Sequence, residues 1–409
     1  MLTTVVTSLL GAVYWASATH LYTPHQVGTA SALIAMLILA SNLSSIGLGA
    51  ALVQRLPQCA TDRGWSAAIT AALIVGAGSG LLAAMLCLLV LRSLWWQPAV
   101  LHGHQIVLLF TLGVPLWTLA GIVDAIFIAQ RAAGWMLVRN IACSGLKIPL
   151  VTIPAATGHG SVQSLLFAWI AASGITACGA IVCLFPRLQR SYRPTLHRFG
   201  AEVRSLLRSF AGHHCIGLGG MAWMYLLPVL VSARLSATEN AYSSVTWMTG
   251  GFFFMVSGAV SLALFAEGTH ATRSLTVTVG SASRIIAGLL IPALLICVLA
   301  GGRILALFGP GYARQGTALL LLLGLAAVPD AITNLAVMVW RVQRRLAAAA
   351  LLNLGMATLS LALAWLWMPR FGILGTGWAW LLGQSAGATI VLGMLLKPRS
   401  RTRKQRTLP

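Results

Sequence analysis

Long apolar stretches recur along the whole chain and constrain its fold more than any other feature. Twelve of them, bounded by charges or turn residues, are candidates for membrane-spanning helices, which need about 20 residues each. They lie near 3–21, 29–52, 66–91, 105–129, 135–154, 162–185, 210–231, 242–265, 285–300, 316–340, 347–368 and 372–396. Only 8% of the 409 residues are charged and 58% are hydrophobic, too few polar side chains to cover a water-soluble surface. The sequence therefore predicts an all-α integral membrane protein with about twelve transmembrane helices.

Basic residues fall mainly on one side of this arrangement. When the connections are assigned to alternate sides, 21 of the 27 Lys and Arg residues lie on one side and Lys147 lies inside a span. The five on the other side are Arg92, Arg234, Arg303, Arg314 and Arg370. Because basic connections resist translocation, we predict a multi-pass protein of the cell (inner or plasma) membrane with both chain ends cytoplasmic. The net charge of +21 then reflects topology and attraction to anionic lipids, with no nucleic acid partner.

The chain divides into two halves at its most polar segment. At a shift of 214 residues, Pro115 in span four aligns with Pro329 in span ten, and Arg131 aligns with Arg345. The predicted units are an N-terminal six-helix bundle at 1–186, a basic cytoplasmic linker at 187–208, a C-terminal six-helix bundle at 209–396 and a basic tail at 397–409. Six spans return the chain to its starting side, so the bundles would be parallel repeats related by a pseudo-two-fold axis along the membrane normal. Chance matches between alanine- and leucine-rich helices are the alternative.

The sequence carries no motif for catalysis, a cofactor or a metal. It has no P-loop, which excludes an internal ATPase. None of the seven cysteines forms a CxxC pair, and six lie in apolar runs, as expected for buried small side chains. The connections on the side with few basic residues are short and contain few acids or bases. We therefore predict that the chain is not an enzyme and uses neither a cofactor nor a metal ion.

Five segments, in order along the chain, resemble a known family. They are 21–57, 124–140, 238–268, 304–332 and 341–345, which include LYTPHQVGTASAL, DAIFIAQRAAGWMLVRN, TENAYSSVTWMTGG, ILALFGPGYARQG and RVQRR. Together they resemble the polysaccharide-transporter (Wzx-like oligosaccharide flippase) branch of the multidrug/oligosaccharidyl-lipid/polysaccharide exporter superfamily. The resemblance implies a flippase for a polyprenyl-pyrophosphate-linked glycan in surface-polysaccharide biosynthesis, working by alternating access and usually coupled to an ion gradient. It also implies glycosyltransferases or a polymerase of the same pathway as partners.

Three alternative functions stay open at this point. The nearest is a small-molecule, multidrug-type exporter of the same superfamily, which would usually bind organic cations near membrane-embedded carboxylates. The others are a membrane polymerase or ligase acting on lipid-linked sugars, and a non-transporting scaffold for surface-polysaccharide assembly that binds partners through 187–208 and the tail.

Two oppositely charged residues lie inside spans four and five. Asp124 is seven residues before Arg131 and Lys147 is eight after Arg139, which places both about 10–12 Å from the basic ends of their spans. Charges at such depth are costly and persist where they face a partner or a wet cavity, so we expect the two to meet. Either they form a structural ion pair, or Lys147 contacts a substrate phosphate while Asp124 orients it.

Asp330 lies deeper, about 16 Å from Arg341 and directly after Pro329. No basic residue lies at its level in the second half of the chain. Asp330 is therefore a candidate proton or sodium site together with Asn334, one turn further on. The alternative is a neutral aspartic acid that is hydrogen-bonded to Asn334.

Aromatic and amide side chains inside the spans are candidates for the lining of a sugar-binding cavity. The substrate-binding candidates, in addition to Lys147 and Asp124, are Tyr14, Trp15, Asn42, Trp223 and Tyr225. Trp247, Asn353 and Gln384 belong to the same class of residues. For each of them, ordinary packing or a position at the membrane interface is the alternative.

Overall fold

A computed structural model describes residues 2–45, 47–59, 61–94, 103–189, 192–208, 214–269 and 275–396. Within these ranges the chain forms helices and no strand, and twelve helices have 18 residues or more. We number them α1 Leu2–Leu21, α2 Pro24–Ser44, α3 Asp62–Leu94, α4 His104–Ala129, α5 Ala133–Ala156, α6 Val162–Gly179, α7 His214–Arg234, α8 Ala237–Thr269, α9 Leu275–Ala306, α10 Pro310–Val342, α11 Leu346–Phe371 and α12 Leu374–Leu396.

The helices agree in number and order with the twelve predicted spans. Among the described residues, nine are long and apolar enough to cross a membrane; α1, α7 and α12 fall outside that set. Successive helices are joined by tight connections such as 22–23, 130–132, 235–236 and 372–373. The predicted all-α multi-pass membrane fold is therefore confirmed.

Helix boundaries differ most from the prediction in the second and ninth spans. The second span was expected to run from 29 to 52, but α2 ends at Ser44 and a separate short helix, Leu48–Arg55, follows Gly47. Gly47 has a φ of 70°, a conformation that glycine adopts without steric cost. The ninth span was expected to begin at 285, whereas α9 begins at Leu275. Arg284 is consequently an exposed helical residue rather than a loop residue.

Short polar motifs explain where some helices begin. Thr23 caps α2: its hydroxyl accepts the backbone N–H of Gln26, and the Gln26 side chain accepts the backbone N–H of Thr23. Pro24, as the first residue of α2, has no N–H to leave unpaired. Ser161 and Ser164 form the same reciprocal pair at the start of α6.

The helices pack as two six-helix bundles with the same internal order. In the first bundle α1 packs on α5, α2 on α4, α3 on α4, α4 on α6, and α5 on α6. In the second, each helix six places later repeats the contact: α7 on α11, α8 on α10, α9 on α10, α10 on α12, and α11 on α12. Pro115 and Pro329, which align in sequence, lie inside the equivalent helices α4 and α10. Two parallel repeats about an axis along the membrane normal account for this pattern.

We call one end of the helices the basic end; it is the end next to the segments 47–59, 130–132, 192–208 and 343–345. The other end is called the opposite end. At the basic end the segment between the bundles packs onto the first bundle, because helix Phe199–Arg208 contacts α3 and the short helix Leu48–Arg55.

Two groups of contacts hold this linker in place. Arg55 donates two hydrogen bonds to the buried Glu202 carboxylate, at 3.3 and 3.0 Å. Donating these bonds to the Glu202 carboxylate raises the pKa of the Arg55 guanidinium. Tyr192 packs edge-to-face with Trp65 and Phe185, with ring centroids 5.6 Å from each. The described part of the linker is therefore an extension of the first bundle.

Candidate functional site

A cavity of about 960 Å³ lies between the two bundles. Its wall is formed by α1, α2, α4, α5 and α6 of the first bundle and by α7, α8 and α12 of the second. We call it the central cavity. Its volume is at the upper end of the range found for small-molecule sites.

The central cavity lies toward the basic end of the helices. Asn42 is two residues before the end of α2, Asp124 is five before the end of α4, and Arg139 is six after the start of α5. At the opposite end the bundles touch. There the backbone of Gly28 on α2 packs so closely on Ala237 at the start of α8 that a Cβ atom at position 28 would overlap its carbonyl group. The cavity therefore faces the basic end and is closed at the other.

All seven predicted substrate-binding residues lie on the wall of the central cavity. They are Tyr14, Trp15, Asn42, Asp124, Lys147, Trp223 and Tyr225. Trp247 also lines it, whereas Asn353 and Gln384 are not among its lining residues. The structure thus places these side chains around one space, and their roles in binding stay predictions.

The expected contact between Asp124 and Lys147 is wrong. Asp124 Oδ2 instead accepts a hydrogen bond of 2.8 Å from Arg139 Nη2, and Asn140 Nδ2 donates to Asp124 Oδ1 at 3.3 Å. Arg139 was expected at the basic end of its span, but it lies inside α5 and is only 6% exposed. Its charge is tolerated there because the Asp124 carboxylate neutralises it. A carboxylate at the same depth was the sequence signal for this pair.

Lys147 lies two turns further along α5 and faces aromatic rings. Its Nζ is 3.5 Å from the centroid of Trp169 and 5.4 Å from that of Trp117, two rings that stack on each other at 5.3 Å. Ring faces attract a cation that has been removed from water. Within the described part of the chain, the Lys147 ammonium has no carboxylate partner. Sequence reasoning named Lys147 but missed Trp117 and Trp169.

The polar residues on α5 form one stripe that faces the cavity. Arg139, Asn140, Ser144 and Lys147 all line it, at spacings that keep them on one face of the helix. The described charges on the wall are two cations and the carboxylate of Asp124. One positive charge is therefore in excess, and the site suits an anion.

Asp330 belongs to a separate polar cluster inside the second bundle. It is buried, and its Oδ2 accepts hydrogen bonds of 2.8 Å from both Ser257 on α8 and Asn334 on α10. Thr333, three residues after Asp330, donates to Gln384 of α12 at 3.0 Å. No described cation pairs with Asp330. The bond to Asn334 fits both interpretations of Asp330, the ion site and the neutral acid.

The cluster offers oxygen ligands to a small cation, but its ligand set is limited. In the part of the chain that the structure describes, no three His, Cys, Asp or Glu side chains come together as a metal site. Any cation at Asp330 would thus be held by one carboxylate with hydroxyl, amide or backbone oxygens.

No family model matches the chain, and no curated protein matches it in sequence. Solved structures match its fold. The lipid II flippase MurJ in an inward closed conformation has a TM-score of 0.77 at 10% identity, over 96% of this chain and 86% of that chain. A multidrug resistance MATE family transporter of the MOP superfamily, inward-facing, has a TM-score of 0.75 at 14% identity, over 95% and 93%.

Two further matches bear on the arrangement of the bundles. An outward-facing MATE family transporter of the MOP superfamily has a TM-score of only 0.57 at the same 14% identity, over 96% of this chain and 94% of that chain. A MOP superfamily transporter from Pyrococcus furiosus has a TM-score of 0.55 at 14% identity, over 96% and 92%. The bundles are therefore arranged more like those of the inward closed and inward-facing structures, and the chain has the fold of the MOP-superfamily transporters.

Proposed function

We propose that this protein moves an amphiphilic anion, a glycan precursor on a polyprenyl pyrophosphate, from one leaflet of a membrane to the other. The observation that carries the proposal is the stripe on α5, where Arg139 and Lys147 face a large cavity that contains one described carboxylate, Asp124. Lys147 has no carboxylate partner in the described structure, so its charge is available to a phosphate. Charge-assisted hydrogen bonds to phosphate are among the strong ones in proteins.

A cavity between two bundles lets the polar head group cross without entering hydrocarbon. Sugars and pyrophosphate are costly to place in lipid, whereas the apolar polyprenyl tail can stay in the hydrocarbon. The likeness to the lipid II flippase MurJ supports a lipid-linked substrate, and the Wzx-like sequence segments support a surface-polysaccharide precursor. Rocking of the bundles would expose the cavity to each side in turn.

The basic end is proposed to be cytoplasmic, in a cell membrane, with both chain ends on that side. Arginine-rich connections such as 192–208 and 343–345 lie at this end, and basic connections are retained in the cytoplasm. The central cavity would then load its substrate from the cytoplasmic leaflet.

Ion coupling is proposed at Asp330. A carboxylate on α10 with no described cationic partner, hydrogen-bonded to Ser257 of α8 and to Asn334 of α10, can exchange a proton or hold a sodium ion. Since α8 also lines the central cavity, occupancy of this cluster would bias the position of a helix that contacts the substrate.

An exporter of organic cations is the second candidate, because a MATE transporter matches the fold with a TM-score of 0.75. Such a substrate needs a free carboxylate in the cavity. Asp124 is the one described there, and it is paired with Arg139. An enzyme is disfavoured because the described connections at the opposite end, such as 157–161 and 307–309, are too short for a catalytic domain.

The test is flipping by the purified chain in proteoliposomes, with a fluorescent polyprenyl-diphosphate-linked sugar. Lys147→Met is expected to lower the rate about tenfold or more, since a hydrogen bond to a charged group contributes about 1.5–3 kcal/mol. Lys147→Arg should retain part of the rate, and Arg314→Met, at the opposite end, serves as the matched control.

The same liposomes decide between the two candidates. Transport of tetraphenylphosphonium, with no flipping of the lipid-linked sugar, would replace the proposal by the organic-cation exporter. In cells, complementation of a flippase-deficient strain, with chemical analysis of the accumulated lipid-linked intermediate, identifies the glycan.

A further inference from the structure

Four aromatic side chains from three helices of the second bundle form a cluster on the wall of the central cavity. Trp223 of α7 packs on Trp380 of α12 at 4.8 Å and on Trp247 of α8 at 5.4 Å between ring centroids. Phe254 of α8 contacts Trp247 at 6.2 Å and Trp380 at 5.8 Å. Trp223 is buried, whereas Trp247, Phe254 and Trp380 are partly exposed. We call these four residues the aromatic wall.

The two sides of the cavity differ in charge. The described charged side chains on its lining are Asp124, Arg139 and Lys147, and all three belong to the first bundle. The lining residues from α7, α8 and α12 carry no charge. A ligand that bridges the bundles therefore meets charge on one side and aromatic rings on the other.

We infer that the aromatic wall is the subsite for the sugar ring of the substrate, opposite the α5 stripe that holds its phosphate. The inference rests on the proposed function and adds to it the residues that recognise the glycan. A pyranose has a face of C–H groups, which stacks on an aromatic ring, and a rim of hydroxyl groups, which exchange hydrogen bonds. Partly exposed tryptophan rings match the first property.

Unpaired donors match the second property. The indole Nε1–H groups of Trp223 and Trp380 are buried and have no acceptor in the described structure, whereas that of Trp247 donates to Thr376 Oγ1 at 3.3 Å. Buried indole N–H groups usually have a partner. Sugar hydroxyl and ring oxygens are acceptors of the required kind for these two donors, whose residues line the cavity.

An organic cation is the competing occupant, because tryptophan faces also attract cations. It fits this wall less well, since a cation cannot accept from an indole N–H. It would also face the uncompensated charge of Lys147 across the cavity.

The experiment compares two ligands that differ in the sugar and, because the sugar esterifies the terminal phosphate, in one ionisable phosphate oxygen. Binding of farnesyl diphosphate and of farnesyl-diphosphate-linked N-acetylglucosamine is measured by isothermal titration calorimetry. The full chain is held in phosphatidylcholine nanodiscs, because sugar-based detergents would compete for the site. The variants are Trp380→Ala, Trp380→Phe and Lys147→Met. Trp378→Ala is the matched control, since Trp378 lies two residues away on α12 and is 43% exposed.

The sugar-bearing ligand is expected to bind wild type at least fivefold more tightly than farnesyl diphosphate. Trp380→Ala should weaken the binding of the sugar-bearing ligand about tenfold. It should leave the affinity for farnesyl diphosphate unchanged within about twofold. Trp380→Phe should lie between wild type and Trp380→Ala, because it keeps a ring and removes the donor. Lys147→Met should weaken both ligands, and Trp378→Ala neither.

The results separate the inference from the proposed function. If both ligands bind equally and depend on Lys147, the sugar subsite is wrong while the anion site stands. If neither binds, both proposals fail. A third outcome is that wild type binds tetraethylammonium, Trp380→Ala does not, and the sugar adds no affinity. That outcome would assign the aromatic wall to a cation instead.

Discussion

The side-chain Nδ2 of Asn240 on α8 donates a hydrogen bond of 2.8 Å to the backbone carbonyl oxygen of Gly28 on α2. The same nitrogen donates to Ser31 Oγ at 2.9 Å, and Asn240 Oδ1 accepts from Ser244 at 3.1 Å. Asn240 is fully buried, so each polar atom of its amide is satisfied inside the contact between the bundles. Opening the opposite end must break these bonds, and entering water can replace them.

The close approach at Gly28 predicts that Gly28→Ala opposes closure of the opposite end. A Cβ atom there meets the carbonyl group of Ala237, which is backbone and cannot rotate away. Overpacking of this kind costs about 1–3 kcal/mol, enough to shift a two-state equilibrium about tenfold. We expect less labelling of the cavity residue Cys143 from the basic side by a membrane-impermeant maleimide, in a variant without the other six cysteines.

Gly78→Ala is the control for this prediction. Gly78 lies on α3, and a Cβ atom built there meets nothing within 4 Å. Gly78→Ala should leave the labelling of Cys143 as in the parent protein. Because alanine favours the helix equally at both positions, a difference between the two variants comes from the contact at Gly28. Unchanged labelling in Gly28→Ala, at normal protein level, would contradict the idea that this contact closes the opposite end.

A covalent link across the same contact should stop transport. Ser31 Oγ and Ser244 Oγ lie 3.2 Å apart and belong to different bundles. The double variant Ser31→Cys/Ser244→Cys, without native cysteines, is expected to lose flipping on oxidation and to regain it with a reductant. Each single variant controls for loss of the hydroxyl groups. Continued flipping with complete cross-linking, assessed by mass spectrometry, would exclude separation of α2 from α8 as a step.

The sequence predicts the helices well because the requirement for an apolar span is local. It also indicates which side chains share the cavity, since Asp124 and Lys147 are costly in lipid and Trp223 lies inside a span. The sequence does not show which of these charged side chains pair with each other. Helical spacing placed Asp124 and Lys147 at one depth, but it does not fix how α4 and α5 are rotated against each other. The rotation in the structure brings Arg139 to Asp124.

Contacts between the bundles were beyond the reach of sequence reasoning. Gly28 and Asn240 are unremarkable in sequence, and their meeting depends on the packing of helices more than 200 residues apart in the chain. Trp380 shows the same limit: nothing local distinguishes it from Trp378, which is largely outside the core, until α12 is placed beside α7 and α8.

The ion pair inside the cavity predicts a strong coupling between Asp124 and Arg139. The Arg139 side chain is only 6% exposed, and Asp124→Asn removes the carboxylate that pairs with its charge. Removing one partner of a buried pair costs about 3–5 kcal/mol, and the partial exposure of Asp124 should lower this to about 2–3 kcal/mol. Asp124→Asn/Arg139→Gln should recover most of the loss. Unfolding of wild type, Asp124→Asn, Arg139→Gln and the double variant in one detergent measures the coupling, and additive effects would show that the contact contributes little.

The cluster around Asp330 predicts that one variant separates folding from ion dependence. Asp330→Asn keeps an oxygen that can accept from Ser257 and from Asn334, so we expect wild-type protein level and thermal stability. It removes the ionisable group, so flipping in proteoliposomes should lose most of its response to a proton or sodium gradient. Glu239→Gln, which removes a carboxylate at the opposite end of α8, should retain the response. An Asp330→Asn protein that still responds fully to both gradients would show that Asp330 is a hydrogen-bonded structural acid and that the coupling group lies elsewhere.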